Sequence, residues 1–397
     1  HTPGYYARAM PATADVIVVG LGAIGNASLY QLARRGTRVI GIDRFVPPHD
    51  RGSSHGESRI TRQAIGEGEE YVPFVLRSHE IWRALEADTG ERLLLAVGGL
   101  VLGRPSVSAR HHGKEDFVRR TIASADRNQI PYEVLNAGEV HKRFPQFRLV
   151  GDELGYYEPG AGLVRPERCV AAQLDRARAH GAIVRTGETV VRIAPVGSEV
   201  RVVTDKATYT GGWAVITAGA WLPALLGGRF AKLLKVYRQV LCWFAPDEAA
   251  AFASGRFPVF IWLHGAGESD YFYGIPIVSE GVKLATEQFA ETVDPDRVGR
   301  EVSGAEVATM YAAHVEGRLA GVSDRCLRAE TCLYTVTPDS GFLIDRHPTS
   351  ERVVVASPCS GHGFKHYAAI GEAIAEVVTT GSSQLDLVPF SLARFPS

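Results

Sequence analysis

Cysteine and methionine are scarce, five and two among 397 residues. The cysteines, Cys169, Cys242, Cys326, Cys332 and Cys359, are odd in number and form no Cys-x-x-Cys pair. That argues against a disulfide scaffold or a zinc site, and makes a reducing cytoplasm the expected compartment. Net charge is nearly absent too, at −1 with 43 basic and 44 acidic residues. Such a balance offers nothing to nucleic acid or to an anionic membrane. No apolar run approaches the roughly 20 residues needed to span a bilayer. The longest, at 16–20 and 353–356, have strand length. Residues 1–13 lack the apolar segment of a secretory leader and are left out of the fold reasoning. Repeats and low-complexity tracts are also missing. What remains is ordinary for a globular enzyme, 45% hydrophobic and 22% charged, and long enough for two domains.

The first clear element is the apolar run Asp15-Val16-Ile17-Val18-Val19, as expected of a parallel strand buried on both faces. Gly20-Leu21-Gly22-Ala23-Ile24-Gly25 follows at once, then a helical stretch with Leu29, Leu32 and Ala33 on one side. A second strand over 38–43 ends on Asp43 and closes a βαβ unit. Residues 45–62, rich in Pro, Gly, Ser, His and Arg, read as a long loop. Residues 71–86 read as a helix and 97–103 as a strand. A second α/β piece begins at Val164 with a helix to about His180 and ends on a buried strand over 213–219. Between about 225 and 327 the pattern changes to aromatic-rich alternating strands at 241–244, 259–263, 271–275 and 282–286, which predicts an antiparallel sheet. A last buried strand, 353–356, leads through a glycine-rich loop into a terminal helix over 368–378.

A Gly-x-Gly-x-x-Gly run alone is a weak signal. Here it lies between strand and helix, with an acidic residue ending the next strand, so Gly20, Gly22, Gly25 and Asp43 are candidate nucleotide-binding residues. The glycines permit a tight turn and close approach of a pyrophosphate to the helix N-terminus. Asp43 can accept hydrogen bonds from ribose hydroxyls. A nicotinamide domain would continue as alternating strands and helices. This chain instead breaks off and resumes its sheet more than 100 residues later, the habit of flavoproteins, so FAD is the expected cofactor.

Several stretches resemble the monomeric sarcosine oxidase family, which includes N-methyltryptophan oxidase and pipecolate oxidase. They are Ser54-His55-Gly56-Glu57-Ser58-Arg59-Ile60-Thr61-Arg62 with Gly66-Glu67-Gly68, then Thr331-Cys332-Leu333-Tyr334, Asp345-Arg346-His347-Pro348, Ser360-Gly361-His362-Gly363-Phe364-Lys365 and the tail from Ala393. The likeness covers nearly the whole chain from Asp15. It implies a D-amino acid oxidase-like α/β fold: a discontinuous FAD-binding Rossmann-like domain (14–96, 155–224, 328–392) and an α+β substrate domain with an antiparallel sheet (97–154, 225–327). It further implies a monomer that oxidises a small amine or amino acid, with O₂ as acceptor and peroxide as product.

The same resemblance assigns roles. FAD would be joined covalently to Cys332. Arg44, Ser54, His55, Gly361, Gly363 and Phe364 would line it, as would Arg59. Arg62 and Lys365 would hold the substrate carboxylate, a task for which a guanidinium fork is suited. Lys283 would serve oxygen activation, since fixed positive charge favours reduction of O₂. Tyr273 and Tyr334 match pocket tyrosines. One position departs: four residues beyond Lys283, sarcosine-type members carry histidine and this chain carries Glu287. Either Glu287 faces away, or the pocket accepts a different amine, with the carboxylate favouring extra positive charge or accepting the amine's proton. Trp262 and His264 are further candidates for shaping the pocket. Two other functions are open at this point: a flavin dehydrogenase with another electron acceptor, and a nucleotide-binding module without turnover.

Overall fold

The computed structural model describes residues 13–107 and 109–396; most of the leader reading, over residues 1–12, lies outside them. The apolar run after Asp15 is the centre of the strand Thr13–Val19. It is flanked by Val39–Asp43 and Thr208–Ile216, both parallel to it. Ile183–Thr186 extends this sheet beyond Val39–Asp43. Glu199–Thr204 and Val190–Val196 extend the other side as antiparallel strands. The C-terminal strand Ser350–Ser357 rejoins the chain's beginning by pairing in parallel with Thr208–Ile216. Ile17 and Val18 are completely buried, as two-sided coverage of a parallel sheet requires. The helix Ala23–Arg34 packs against Pro166–Ala179 and the terminal helix Tyr367–Thr380.

The second large sheet runs in the order Val322–Val336, Lys235–Pro246, Val282–Ala285, Tyr271–Ile275, Val259–Leu263, Gly99–Gly103, Leu154–Glu158 and Glu133–Asn136. Its pairs are antiparallel except Val259–Leu263 with Gly99–Gly103, which is parallel. The strands expected to form an antiparallel sheet do pair that way, and the one parallel pair arises where a strand from far upstream, Gly99–Gly103, joins them. The strand Val322–Val336 is continuous across position 328. Its partner is Lys235–Pro246, with Cys332 opposite Gln239 and Tyr334 opposite Tyr237.

The expected loop over 45–62 contains a short strand, Arg59–Thr61. It pairs with Gly162–Val164, which also pairs with Leu94–Leu95. Three residues are too few to show alternation in sequence, but pairing fixes which way Arg59 and Thr61 point. Among the described residues no helix is long and apolar enough to cross a membrane.

Candidate active site

The glycine loop, the 45–62 segment and the turn before the terminal helix converge on one cavity of about 480 Å³. Its lining runs from Gly20, Gly22 and Asp43 past Arg44 and Ser54 to Arg59 and Tyr334, with Gly361, Gly363 and Phe364 on the opposite wall. Gly25 allows the close turn: a methyl group there would lie 1.7 Å from the Gly20 carbonyl oxygen. Asp43 accepts from the Leu21 amide at 2.6 Å and the Phe45 amide at 2.7 Å. Burial, the largest influence, raises its pKa against those two bonds. Arg44 is tied by a 2.6 Å ion pair to Asp296 and stacks over Phe45 and Trp221.

Cys332 lies behind Arg59, a residue of the cavity wall, and is fully buried. The Arg59 guanidinium donates to its sulfur at 3.4 Å and to the Ser53 carbonyl at 2.7 Å. Burial would raise the thiol, but Arg59, His55 and Lys283 outweigh it and bring Cys332 down to about 7. His55 is buried 3.4 Å from the Glu330 carboxylate. Despite burial, Cys332 and Glu330 hold His55 up at about 9. Tyr334, Trp243 and Leu241 pack with Cys332 in one apolar cluster, and Tyr273 packs against it.

Lys283, on the strand Val282–Ala285, is buried and donates to the carbonyls of Gly56 and Ser58, each at 2.8 Å. Burial, reinforced by Arg59, lowers its pKa well below the usual lysine value. The loop it holds is sewn down elsewhere: Glu57 receives Ser279 and Arg328, and its amide donates to Glu167 at the start of a helix.

Arg62 and Lys365 come together, but not as an empty clamp. Arg62 donates to both oxygens of Glu67, each at 2.7 Å, and to the Ala64 carbonyl at 2.8 Å. Lys365 donates to the His362 carbonyl at 2.8 Å. Burial lowers Lys365 to about 7, with Glu67 acting in opposition. Glu67 itself, despite burial, lies well below the usual carboxylate range because Arg62, His112 and Lys365 surround it.

Glu287 faces inward. It is 6% exposed. Its Oε2 accepts from His112 Nε2 at 3.0 Å and from the Tyr271 hydroxyl. The other nitrogen of His112 is 3.4 Å from Glu67, and between two carboxylates His112 is raised to about 9 against the effect of burial. A continuous buried series, Arg62–Glu67–His112–Glu287–Tyr271, therefore runs along one wall. It ends above Gly361 (φ +84°), where a methyl group would meet His112 Nε2 at 2.9 Å and Glu287 Oε1 at 3.0 Å. Sequence reasoning left His112 and Tyr271 unassigned and gave Glu67 no role. Trp262 and His264 belong elsewhere: Trp262 packs in the core of the second sheet, and His264 is 3.1 Å from His314.

A nucleotide-type glycine loop opening into a cavity walled by Arg59 and Tyr334, with a buried thiol behind Arg59, is the arrangement of a dinucleotide-dependent oxidoreductase. Residues 15–377 match the family of FAD dependent oxidoreductases, and the chain belongs to that family. It is 39% identical to monomeric sarcosine oxidase of Streptomyces avermitilis over 94% of this chain and 96% of that protein. It is 35% identical to N-methyl-L-tryptophan oxidase of Yersinia pestis over 96% and 99%. Among solved structures it resembles NikD, an amino acid oxidase of nikkomycin biosynthesis, with a TM-score of 0.83, 26% identity and coverage of 96% of this chain and 97% of that one. The L-proline dehydrogenase of P. horikoshii, at 22% identity, TM-score 0.78 and 97% and 98% coverage, shares the fold.

Proposed function

We propose that this protein is an amino-acid oxidase that removes a hydride, a proton with two electrons, from the carbon beside the nitrogen of a small amino acid whose nitrogen also loses a proton, N-methylated or cyclic secondary amines foremost. The imine so formed hydrolyses to a carbonyl compound and an amine. The observation carrying this reading is the cavity itself: one end is built for a dinucleotide, and the other is walled by Arg59 and Tyr334, with the Cys332 thiol 3.4 Å behind the Arg59 guanidinium. FAD bound there supplies the two-electron acceptor and returns the electrons to O₂ as peroxide. Cys332 is the residue for covalent attachment, since a thiolate is the nucleophilic form and this thiol is lowered to about 7.

The protein's own groups have distinct tasks in this reading. Lys365 and Arg62 receive the substrate carboxylate. Glu67 presents to Arg62 the same group a substrate would bring, so the entering carboxylate competes with it. Lys283 keeps a basic nitrogen beside Arg59, where electrons pass to oxygen. Tyr273 and Tyr334 close the apolar side and exclude water. The first large sheet with its helices serves as the nucleotide domain and the second as the substrate domain; the strands Leu154–Glu158 and Val322–Val336 of the second sheet cross the boundaries read from sequence. The protein acts as a monomer, and its five free cysteines suit a reducing cytoplasm.

Precipitation in acid tests the attachment: a yellow pellet supports it, and a yellow supernatant over a colourless pellet refutes it. Peroxide release across N-methyl, cyclic and primary amino acids tests the reaction. Electron transfer to an artificial acceptor without peroxide formation would point to the dehydrogenase reading instead.

A further inference from the structure

We propose that His112 is the positioning residue that holds Glu287 as acceptor for the substrate's ammonium group, so that the pocket selects amino acids in their zwitterionic form. The inference rests on the oxidase reading above and adds to it the pole that receives the nitrogen. Three observations support it. The strands Arg110–His111 and Lys114–Glu115 form a hairpin, and His112 (φ +48°) occupies its tip with Gly113. The hairpin is fixed by His111, which packs against Phe117 at 4.6 Å and Tyr271 at 4.7 Å between ring centroids. The tip is thereby pressed into the interior, and His112 is 8% exposed.

The second observation is the division of labour on Glu287. Oε2 carries both contacts, His112 and Tyr271. Oε1 is directed toward Gly361, a residue of the cavity wall. A carboxylate so held has one oxygen committed and one available. The third is charge. A buried carboxylate stays ionised only with a cation beside it. Arg62 is committed to Glu67. Lys365 donates to a backbone carbonyl. His112 is the cation that touches Glu287. The charged and titratable groups around His112 are Glu67, Glu287, His111, His362 and, one contact further, Arg62 and Lys365.

The result is a site with two poles. Lys365, joined by Arg62 once the entering group displaces Glu67, receives a carboxylate, and Glu287 Oε1 receives an ammonium. A molecule carrying both groups satisfies both poles, whereas a carboxylic acid without nitrogen satisfies one. Removing the His112 cation weakens only the ammonium pole.

The test compares His112→Gln and Glu287→Gln with the unaltered holoenzyme. Two readouts are taken: steady-state kinetics with whichever amino acid releases peroxide fastest, and binding of acetate followed by the change in flavin absorbance. Expected for both variants is a KM for the amino acid raised roughly tenfold, as loss of a hydrogen bond to a charged group implies, with kcat less affected and acetate affinity within about twofold of normal. Glu287→Gln leaves the hairpin intact and reports the same pole if His112→Gln misfolds. Parallel weakening of acetate and amino acid overturns the inference, because it marks general disruption. An unchanged KM in Glu287→Gln overturns it as well. If the unaltered enzyme releases no peroxide from any amino acid, the oxidase reading fails along with it; an active enzyme with indifferent variants sinks this inference alone.

Discussion

Replacing Arg59 by Gln tests how Cys332 becomes a nucleophile. Arg59 donates to the sulfur at 3.4 Å and heads the influences that lower the thiol from 9.0 to about 7 against burial. At pH 7 a thiol with that pKa is about half ionised; in the limit where the whole lowering, to which His55 and Lys283 also contribute, is lost with Arg59, a thiol at 9 is about 1% ionised, roughly a 50-fold loss of thiolate. Intrinsic nucleophilicity moves the other way: with a Brønsted slope of about 0.4–0.5, a rise of two units makes the remaining thiolate roughly six- to tenfold more reactive. The net expectation is covalent attachment slower by roughly five- to eightfold at pH 7. At pH 9 the variant thiol is about half ionised and the normal one almost fully, so the variant becomes the faster by roughly three- to fivefold. The assay is time-resolved reconstitution of flavin-free protein with FAD, with aliquots denatured and scored for protein-bound flavin fluorescence. A crossover between pH 7 and 9 is the signature of an electrostatic role. Equal slowing at both pH values refutes it and makes Arg59 a purely geometric element.

Other expectations follow from the same geometry. Cys332→Ser retains FAD through the cavity contacts but releases all of it into acid supernatant, read by absorbance. Gly25→Ala places its methyl group 1.7 Å from the Gly20 oxygen, and the purified protein emerges without flavin. Acetate binding weakens as pH rises through about 7, because Lys365 is a cation below that value and neutral above it; Lys365→Met binds acetate weakly throughout and loses this dependence. Gly361→Ala forces a methyl group into the His112–Glu287 roof and an L-residue into a left-handed φ, a backbone cost of roughly 1–2 kcal/mol, and its KM for the amino acid rises.

The parts of this structure that were legible in sequence are those with local signatures. The run Asp15–Val19 and the glycine loop announce a strand, a turn and a helix through consecutive residues, and the structure forms them there. Arg59, Cys332 and Lys365 were identifiable because each sits in a long motif. What stayed hidden depends on contacts distant along the chain. His112 lies in a stretch that reads as mixed polar, and its partner Glu287 is 175 positions away. The direction in which Glu287 points was undecidable from a strand end, since a single register step reverses it. The occupation of Arg62 by Glu67 was obscured differently: the two are only five residues apart, but a basic residue near an acidic one on a loop carries no periodicity that distinguishes pairing from exposure.

The long separation of the groups around the sulfur also sets when in its history the chain becomes reactive. Arg59 and Cys332 are 273 positions apart and meet only when the loop has been clamped by Lys283, Glu57 and Glu167. In a nascent chain that thiol is an ordinary cysteine, mostly protonated and sluggish. Under the attachment proposed above, its activation is a certificate of completed folding, and a misfolded copy would not receive the flavin.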